Sequence, residues 1–245
     1  MSLGKYGGFH VTFVRHGETD LNKNKIVQGQ GVNAVLNEKG QAQARALGEY
    51  LTHEVYSHVY SSDLLRAKET CEIILSQNDL KSISECLIFD ERIRERNYGE
   101  AEGFSKEAYE AMIKSGKEKP DGAESLSEVA ARAVLFFNEL CDMVYNLKAE
   151  SIPNILVVSH GRLLATLITE FSEKFGCSFP PGKLGVVGGN TSRTCFKVQF
   201  HKDYGISNCQ KPFSKRIQMH CTALNNSDHL SENQINSDND IDAKN

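Results

Sequence analysis

The stretch that decides the fold is Phe9-His10-Val11-Thr12-Phe13-Val14, followed by Arg15-His16-Gly17-Glu18. Its first six residues are rich in β-branched and aromatic side chains and stop at a charged residue, which predicts a short β-strand. A second stretch, Ile155-Leu156-Val157-Val158-Ser159-His160-Gly161, repeats the arrangement. Its apolar start is typical of a central parallel strand that is covered on both faces. Both predicted strands therefore lead into a His-Gly step.

Helical patterns separate these strands from others along the chain. Apolar residues recur at helical spacing over 41–51, and Asn37 is the predicted N-cap of that helix. The capping-box pattern Ser125-Leu126-Ser127-Glu128 predicts the start of a long helix that ends near Leu147. The other predicted elements are helices from Ser62 or Asp63 to about Leu75, over 105–114 and over 163–175, and strands over 57–61, 86–89, 194–200 and 216–221. This alternation predicts a layered α/β fold with a mostly parallel sheet.

The bulk properties of the chain favour one folded domain with a polar tail. A length of 245 residues favours a single large domain, which we predict over residues 1–224. Residues 225–245 are polar and acidic with almost no large apolar side chains, so we predict a disordered tail. The net charge of -4 argues against non-specific binding to nucleic acid, which needs a positive field.

The cysteine content and the hydropathy of the chain indicate its cellular compartment. The seven cysteines are odd in number and form no CxxC pair, which indicates reduced intracellular thiols instead of disulfides or a zinc site. Residues 1–8 lack the apolar core of a signal peptide, and no apolar run is long enough to span a membrane. We therefore expect a cytoplasmic protein with no integral membrane association. Localisation to the nucleus or to an organelle stays open, and so does the oligomeric state.

His16 and His160 are the informative pair of residues. Ligands of open α/β sheets bind in the crevice beyond the carboxyl ends of the strands, so we expect the two imidazoles to share that crevice. The alternative is that each histidine is a satisfied or exposed bystander, which is how we interpret the others, such as His53, His58, His201 and His229. No three residues have the spacing of metal ligands, so no metal site is predicted.

The chemistry that suits this pair is phosphoryl transfer. A neutral imidazole can attack phosphorus and form a covalent phosphoramidate. Because the transferred group stays negatively charged, catalysis also needs cations at fixed positions, and Arg15 and Arg66 are candidates. Taken alone, Arg66 is more simply interpreted as a surface ion-pair partner of Glu69 or Asp63. A leaving alkoxide needs a proton, and the run over 91–99 offers a carboxylate among arginines.

Four segments in this order resemble the motifs of the histidine phosphatase (phosphoglycerate mutase-like) superfamily. They are Arg15-His16-Gly17-Glu18-Thr19, Ser61-Ser62-Asp63-Leu64-Leu65-Arg66-Ala67, Arg94-Glu95-Arg96-Asn97-Tyr98-Gly99 and Ser159-His160-Gly161. The resemblance implies a three-layer α/β/α sandwich that uses no metal and no organic cofactor. It also implies that His16 is the phosphorylated nucleophile, and that Glu95 is the proton donor and later the base for water. The phosphate pocket that it implies consists of Arg15, Arg66 and His160.

Within that superfamily, residues 26–31 and 94–99 look most similar to the TIGAR-type fructose-2,6-bisphosphatases. The similarity implies a phosphoric monoester hydrolase that acts on a small phosphorylated metabolite, with fructose 2,6-bisphosphate the first candidate, and that lowers glycolytic flux. The substrate-binding residues that the resemblance implies are Asn22, Gln28, Gly29, Tyr98 and Thr191. Residues 121–125 and 189–192 depart from the family pattern and are expected near the substrate mouth.

Other functions stay open at this point. A 2,3-bisphosphoglycerate phosphatase or a phosphoglycerate mutase would use the same catalytic residues. Mutases of the family carry a longer insertion with paired arginines, whereas here about twenty residues separate Gly103 from Glu124 and the available cations are Lys114, Lys117 and Lys119. A protein phosphatase of the same superfamily would have a shallower, less basic site. A catalytically weak regulatory or scaffold protein would have no physical need of the retained catalytic residues.

Overall fold

A six-stranded sheet forms the centre of the protein, in the order β3-β2-β4-β1-β5-β6. The computed structural model describes residues 7–77, 87–147, 151–181, 184–205, 212–232 and 234. The strands are β1 (Gly8–Arg15), β2 (His58–Ser61), β3 (Leu87–Phe89), β4 (Asn154–Ser159), β5 (Arg193–Phe200) and β6 (Ile217–Asn226). The helices are α1 (Asp20–Lys23), α2 (Glu38–Tyr50), α3 (Leu65–Ser76), α4 (Lys106–Lys114), α5 (Leu126–Asn146) and α6 (Gly161–Glu173). Strands β1 to β4 pair in parallel, and β5 is antiparallel to both of its neighbours.

Helices cover both faces of this sheet. Alternate residues of β1 and β4, such as Phe13 and Val157, pack against the apolar faces of α5 and α6. The intervening residues, such as Val14 and Val158, pack against α2 and α3. The predicted α/β class with a mostly parallel sheet is confirmed, and the layers form the α/β/α sandwich that the resemblance implied.

The pairing of β1 with β4 places the two His-Gly steps side by side. The strands run in parallel with Val14 opposite Val158 and Arg15 opposite Ser159. The next residue on each strand is a histidine, so His16 and His160 leave the sheet at the same edge. This is the crevice that the sequence predicted.

The start of α3 differs from the prediction. Neither Ser62 nor Asp63 is its N-cap, because the helix begins at Leu65 and its capping position has no side-chain hydrogen bond. The Asp63 carboxylate accepts hydrogen bonds from the Arg94 guanidinium instead, with Nε 2.7 Å from Oδ1. The Leu65 amide donates to Asn33 Oδ1 at 2.8 Å, so a distant loop satisfies this helix end.

The boundary predicted for the disordered tail is also wrong. Strand β6 continues through Asn226, where it still pairs with Arg193 of β5. The Asn225 amide donates to Thr194 Oγ1 at 3.0 Å, and described residues beyond the strand also contact the domain. Backbone hydrogen bonds therefore hold this segment in the sheet, although its side chains are polar. The rest of the predicted tail, residues 233 and 235–245, lies outside the described residues.

Two other expectations concern thiols and membranes. The five cysteines that the structure describes, namely Cys71, Cys141, Cys177, Cys195 and Cys221, are free thiols, while Cys86 and Cys209 lie outside the described ranges. Over the described part of the chain, no helix combines the length and the apolar character needed to cross a bilayer.

The packing of α5 predicts a strong contrast between two nearby side chains. Phe137 is fully buried against Phe171 and Phe175, whereas Leu135 is 50% exposed. Phe137→Ala is expected to lower the free energy of unfolding by about 3–5 kcal/mol because it leaves a cavity. Leu135→Ala is the matched control and should cost less than about 1 kcal/mol. Urea unfolding followed by circular dichroism measures both, and equal losses would contradict the packing described.

Candidate active site

The two histidines after β1 and β4 face each other in a buried site. The ring centroids of His16 and His160 are 5.2 Å apart, and both side chains are buried. Their positions exclude the alternative in which each is an exposed bystander. The rest of the site is built around this pair.

The His16 ring is held in one tautomer. Its Nδ1 lies 2.7 Å from the Gly17 carbonyl oxygen, which can only accept, so Nδ1 carries the hydrogen. Burial, followed by the charges of Arg66 and Arg15, holds the pKa of His16 well below its usual value. The ring is therefore neutral at physiological pH, and its Nε2 lone pair is available for nucleophilic attack.

The His160 ring is neutral for related reasons but lacks an anchor. Burial, Arg66 and then His16 hold its pKa well below the usual value. Neither ring nitrogen has a hydrogen-bond partner within the part of the chain that the structure describes. A buried polar group without a partner is costly, so this ring is suited to bind an entering ligand.

Arg66 lies inside the site, and the surface ion pair considered for it does not form. Its guanidinium donates to the Gly29 and Val32 carbonyls at 2.9 and 3.2 Å. Burial lowers the pKa of Arg66 to about 10, against the opposing charge of Glu95, so it remains a cation at neutral pH. Its Nε has no partner among the described residues. The Nε–H group can therefore donate to a ligand.

Two glycines permit the close approach of these segments. A Cβ on Gly17 would lie 2.6 Å from the Gly40 carbonyl oxygen, so the loop after β1 can contact the start of α2 only without a side chain. A Cβ on Gly161 would lie 2.4 Å from Val187 and 3.2 Å from Arg15 Nε. The glycine of each His-Gly step therefore makes room for backbone or for the neighbouring arginine. Arg15 itself is buried and donates to the Gly188 carbonyl at 2.7 Å.

Glu95 is held at the N-terminus of α6, immediately after His160. Its carboxylate accepts from the backbone N–H groups of Arg162 and Leu163, each at 3.1 Å, and from that of Arg96 at 2.8 Å. These three donors fix the position of the carboxylate beside the two histidines. The sequence selected this residue by resemblance alone, and the structure brings its carboxylate to the same site as both histidines.

An ion pair that sequence reasoning missed supports the Glu95 loop. The Arg132 guanidinium of α5 contacts both Glu124 carboxylate oxygens, at 2.8 and 2.9 Å. It also donates to the carbonyls of Arg92, Arg94 and Glu95 at 2.6–2.9 Å. The available signal was an arginine at the buried edge of an otherwise apolar helical face.

A small cavity of about 40 Å³ opens next to His16. It is lined by Arg15, His16, Asn22, Ile26, Val27, Gln28, Glu95, Tyr98, Gly161, Arg162 and Val187. Three of the five predicted substrate-binding residues, Asn22, Gln28 and Tyr98, are in this lining. Gly29 and Thr191 are not. Gly29 presents its carbonyl to Arg66, and the Thr191 amide donates to the Arg15 carbonyl at 3.1 Å.

A larger cavity of about 340 Å³ adjoins the small one at Arg162, which lines both. Arg96, Lys119 and one carboxylate, Glu118, also line it, so the cations outnumber the acidic side chains in the larger space. Of the other candidate cations, Lys114 pairs with Glu110 and Lys117 pairs with Asp121. A further cavity of about 370 Å³ lies at the other end of β1, near Gly8, where it is remote from both histidines.

The described residues contain no group of three or more histidine, cysteine, aspartate or glutamate side chains placed to hold a metal ion. The arrangement can bind a phosphoryl group between cations, offer it a neutral nitrogen nucleophile, and supply a carboxyl group for proton transfer.

The neutral state of both rings is a testable property. His16 and His160 are expected to stay unprotonated down to pH values well below 6.5, because burial and two arginines disfavour the imidazolium form. Nitrogen-15 NMR of histidine-labelled protein between about pH 8 and 5 measures this, with the urea-unfolded chain as the reference that titrates near 6.5. Spectra of His16→Gln and His160→Gln assign the signals. A ring that titrates at 6.5 or above in the ligand-free protein would contradict the electrostatics described.

Known proteins share this sequence pattern and this fold. The bovine fructose-2,6-bisphosphatase TIGAR is 34% identical over 243 residues, covering 79% of this chain and 89% of that protein. The Xenopus laevis fructose-2,6-bisphosphatase TIGAR is 32% identical over 272 residues, covering 91% and 95%. A phosphoglycerate mutase structure from Bacillus anthracis aligns with a TM-score of 0.68 at 24% identity, covering 91% of this chain and 96% of that one.

The family itself is shown by a match over most of the chain. Residues 11–202 match the model of the histidine phosphatase superfamily (branch 1), and they span all four motifs from His16 to His160. The resemblance identified from the sequence is confirmed. The chain belongs to branch 1 of the histidine phosphatase superfamily.

Proposed function

We propose that this phosphatase removes phosphate from a small sugar or glycerate bisphosphate through a phosphohistidine on Nε2 of His16, and that fructose 2,6-bisphosphate is its substrate. The observation that carries the proposal is the environment of His16. Its Nδ1 is anchored on the Gly17 carbonyl, its ring is kept neutral, and it lines a cavity with Arg15 and Glu95.

In the first step, His16 Nε2 attacks phosphorus and the bond between phosphorus and the ester oxygen breaks. Arg15, Arg66 and His160 stabilise the charge on the phosphoryl oxygens, which is where catalysis of this transfer acts. The leaving oxygen takes a proton from the Glu95 carboxyl group and departs as an alcohol. Glu95 enters this step as the carboxylic acid and leaves it as the carboxylate.

In the second step, water attacks the phosphohistidine. Glu95, now a carboxylate, accepts a proton from the water as the new oxygen–phosphorus bond forms. The nitrogen–phosphorus bond breaks and its electron pair returns to His16 Nε2. Inorganic phosphate leaves, and the three backbone N–H groups that contact Glu95 hold its carboxylate in position for this step.

The size and charge of the cavities support a bisphosphate substrate. The 40 Å³ cavity beside His16 suits one phosphoryl group, and the adjoining 340 Å³ space has room for a sugar. Arg96, Lys119 and Arg162 line that space and would attract a second phosphate. The two TIGAR relatives are named for fructose 2,6-bisphosphate, whose removal would lower glycolytic flux in the cytoplasm.

A mutase function receives less support from the site. The segment between Gly103 and Glu124 holds only α4 and a short loop, where a mutase carries paired arginines. Lys119 lies 3.6 Å from a Glu128 oxygen, so even the lysine that reaches the larger cavity is partly neutralised. Hydrolysis of 2,3-bisphosphoglycerate by the same residues is the alternative that the substrate screen separates.

The first test is a phosphate-release screen of the purified protein. Fructose 2,6-bisphosphate is expected to be hydrolysed faster than fructose 1,6-bisphosphate, 2,3-bisphosphoglycerate, 3-phosphoglycerate or a phosphopeptide. His16→Ala should abolish release while its circular dichroism spectrum stays unchanged, because the phosphohistidine forms on the His16 ring. His53→Ala, which changes an exposed histidine, is the matched control and should behave as wild type. Turnover by His16→Ala would refute the phosphohistidine.

A second test addresses the proton donor. Glu95→Gln is expected to slow hydrolysis of alkyl phosphates by about 10²–10⁴-fold, because their leaving groups need a proton. The loss on p-nitrophenyl phosphate should be far smaller, since that leaving group departs unaided. Glu72→Gln, at an exposed carboxylate, is the control. Equal losses on the two substrate types would remove Glu95 from the donor role.

A further inference from the structure

The end of β6 and the residues after it contact the loops that hold His16. We call residues 225–232 together with 234 the C-terminal latch. Asn225 Nδ2 donates to the Val186 carbonyl at 3.2 Å, and His229 contacts Thr191. At its far end the Gln234 carbonyl accepts from Gln43 Nε2 at 2.9 Å. The latch therefore contacts the site from two sides, although its composition is polar.

His229 makes the central contact of the latch, and its direction follows from the neighbouring bond. The Thr191 hydroxyl donates its single hydrogen to the Asn190 carbonyl at 2.8 Å. Its oxygen lies 3.0 Å from His229 Nε2, so the histidine must be the donor in that second bond. A relay of two hydrogen bonds thus runs from His229 through Thr191 to Asn190.

Thr191 and Asn190 in turn hold the backbone of the nucleophile. The Thr191 amide donates to the Arg15 and His16 carbonyls at 3.1 and 3.3 Å, and Asn190 Nδ2 donates to the His16 carbonyl at 2.9 Å. Thr191 has a φ of 56°, which is costly for a β-branched residue and persists only where the surroundings fix it. The hydrogen bond from His229 is one of the contacts that fix it.

The His229 ring is itself held as a neutral donor. It packs edge-on against Tyr50 at 6.2 Å, and Tyr50 also lies under the Arg193 guanidinium, 4.6 Å from the ring centroid. Burial and the charge of Arg193 lower the pKa of His229 to about 4, against the opposing charge of Asp228. The ring therefore keeps one hydrogen over the working pH range, and the contact geometry places that hydrogen on Nε2.

The other arm of the latch reaches the nucleophile loop by a separate route. Gln43 of α2, whose amide donates to Gln234, accepts from the Glu18 backbone N–H through Oε1 at 3.0 Å. Glu18 is two residues beyond His16. Two independent chains of contacts thus connect the latch to residues on both sides of the nucleophile.

We propose that His229 is a positioning residue for phosphoryl transfer, acting through Thr191 and Asn190 to fix the backbone of Arg15 and His16. The inference rests on the proposed function of His16 as nucleophile. His229 does not touch the substrate. Its contribution is to hold His16 Nε2 in line with the phosphorus atom, where small displacements have large effects on rate.

The test compares two substitutions in the full chain. His229→Phe keeps a ring against Tyr50 but removes the donor, and it is expected to lower kcat by about tenfold with little change in KM. His229→Gln places an amide N–H near the position of Nε2 and should recover most of that loss. Tyr50→Phe, which removes the hydroxyl bonded to Arg193 at 2.8 Å, is the matched control and should leave kcat unchanged. The affinity for orthovanadate and the Tm are measured for all four proteins.

The outcomes separate this inference from the proposed function. If wild-type protein hydrolyses nothing, the proposed function fails, and vanadate affinity then decides the role of His229. An unchanged kcat and vanadate affinity in His229→Phe would overturn the inference. The inference would also be overturned if His229→Gln lost as much kcat as His229→Phe, or if the loss of kcat followed a lowered Tm. Either result would indicate that the ring has only a structural role. Recovery in His229→Gln at equal Tm supports positioning through the hydrogen bond.

Discussion

Burial of positive charge next to two imidazoles is the constraint on which the rest of the site depends. Arg15 and Arg66 lie almost fully out of water, and a buried charge is costly unless it is paired and hydrogen-bonded. Backbone carbonyls of Gly29, Val32 and Gly188 meet part of that need. A dianionic phosphoryl group would complement this positive charge. Burial, together with the same charges, keeps His16 and His160 neutral.

The groups that impose this geometry come from distant parts of the chain. Glu102 accepts from the amides of Gln30, Gly31 and Val32, which fixes the loop whose carbonyls hold Arg66. Arg132 and Glu124 do the same for the loop that carries Glu95. Hydrogen bonds between charged side chains and the backbone therefore hold these two loops in fixed conformations.

The sequence predicted best what is decided locally. The caps at Asn37 and Ser125 were confirmed because each side chain bonds to an amide within its own first turn. The start of α3 was wrong because its amide partner, Asn33, belongs to another loop. Arg132 went unnoticed and the ordered residues after Asn225 were predicted to be disordered, since their contacts depend on tertiary structure that no local pattern encodes. The pairing of His16 with His160 was predictable because parallel strands end at a common edge.

The position of β1 at the centre of the sheet has a consequence for biosynthesis. This strand leaves the ribosome before both of its neighbours, since β4 and β5 follow it by well over a hundred residues. Until they are synthesised, the apolar residues around Phe13 and Val14 have no strand to pair with. Pairings this far apart in sequence form slowly and leave hydrophobic surface open to aggregation in the meantime. The nascent chain is therefore expected to depend on chaperones until β4 has been synthesised. By then the nucleophile loop has long since left the ribosome.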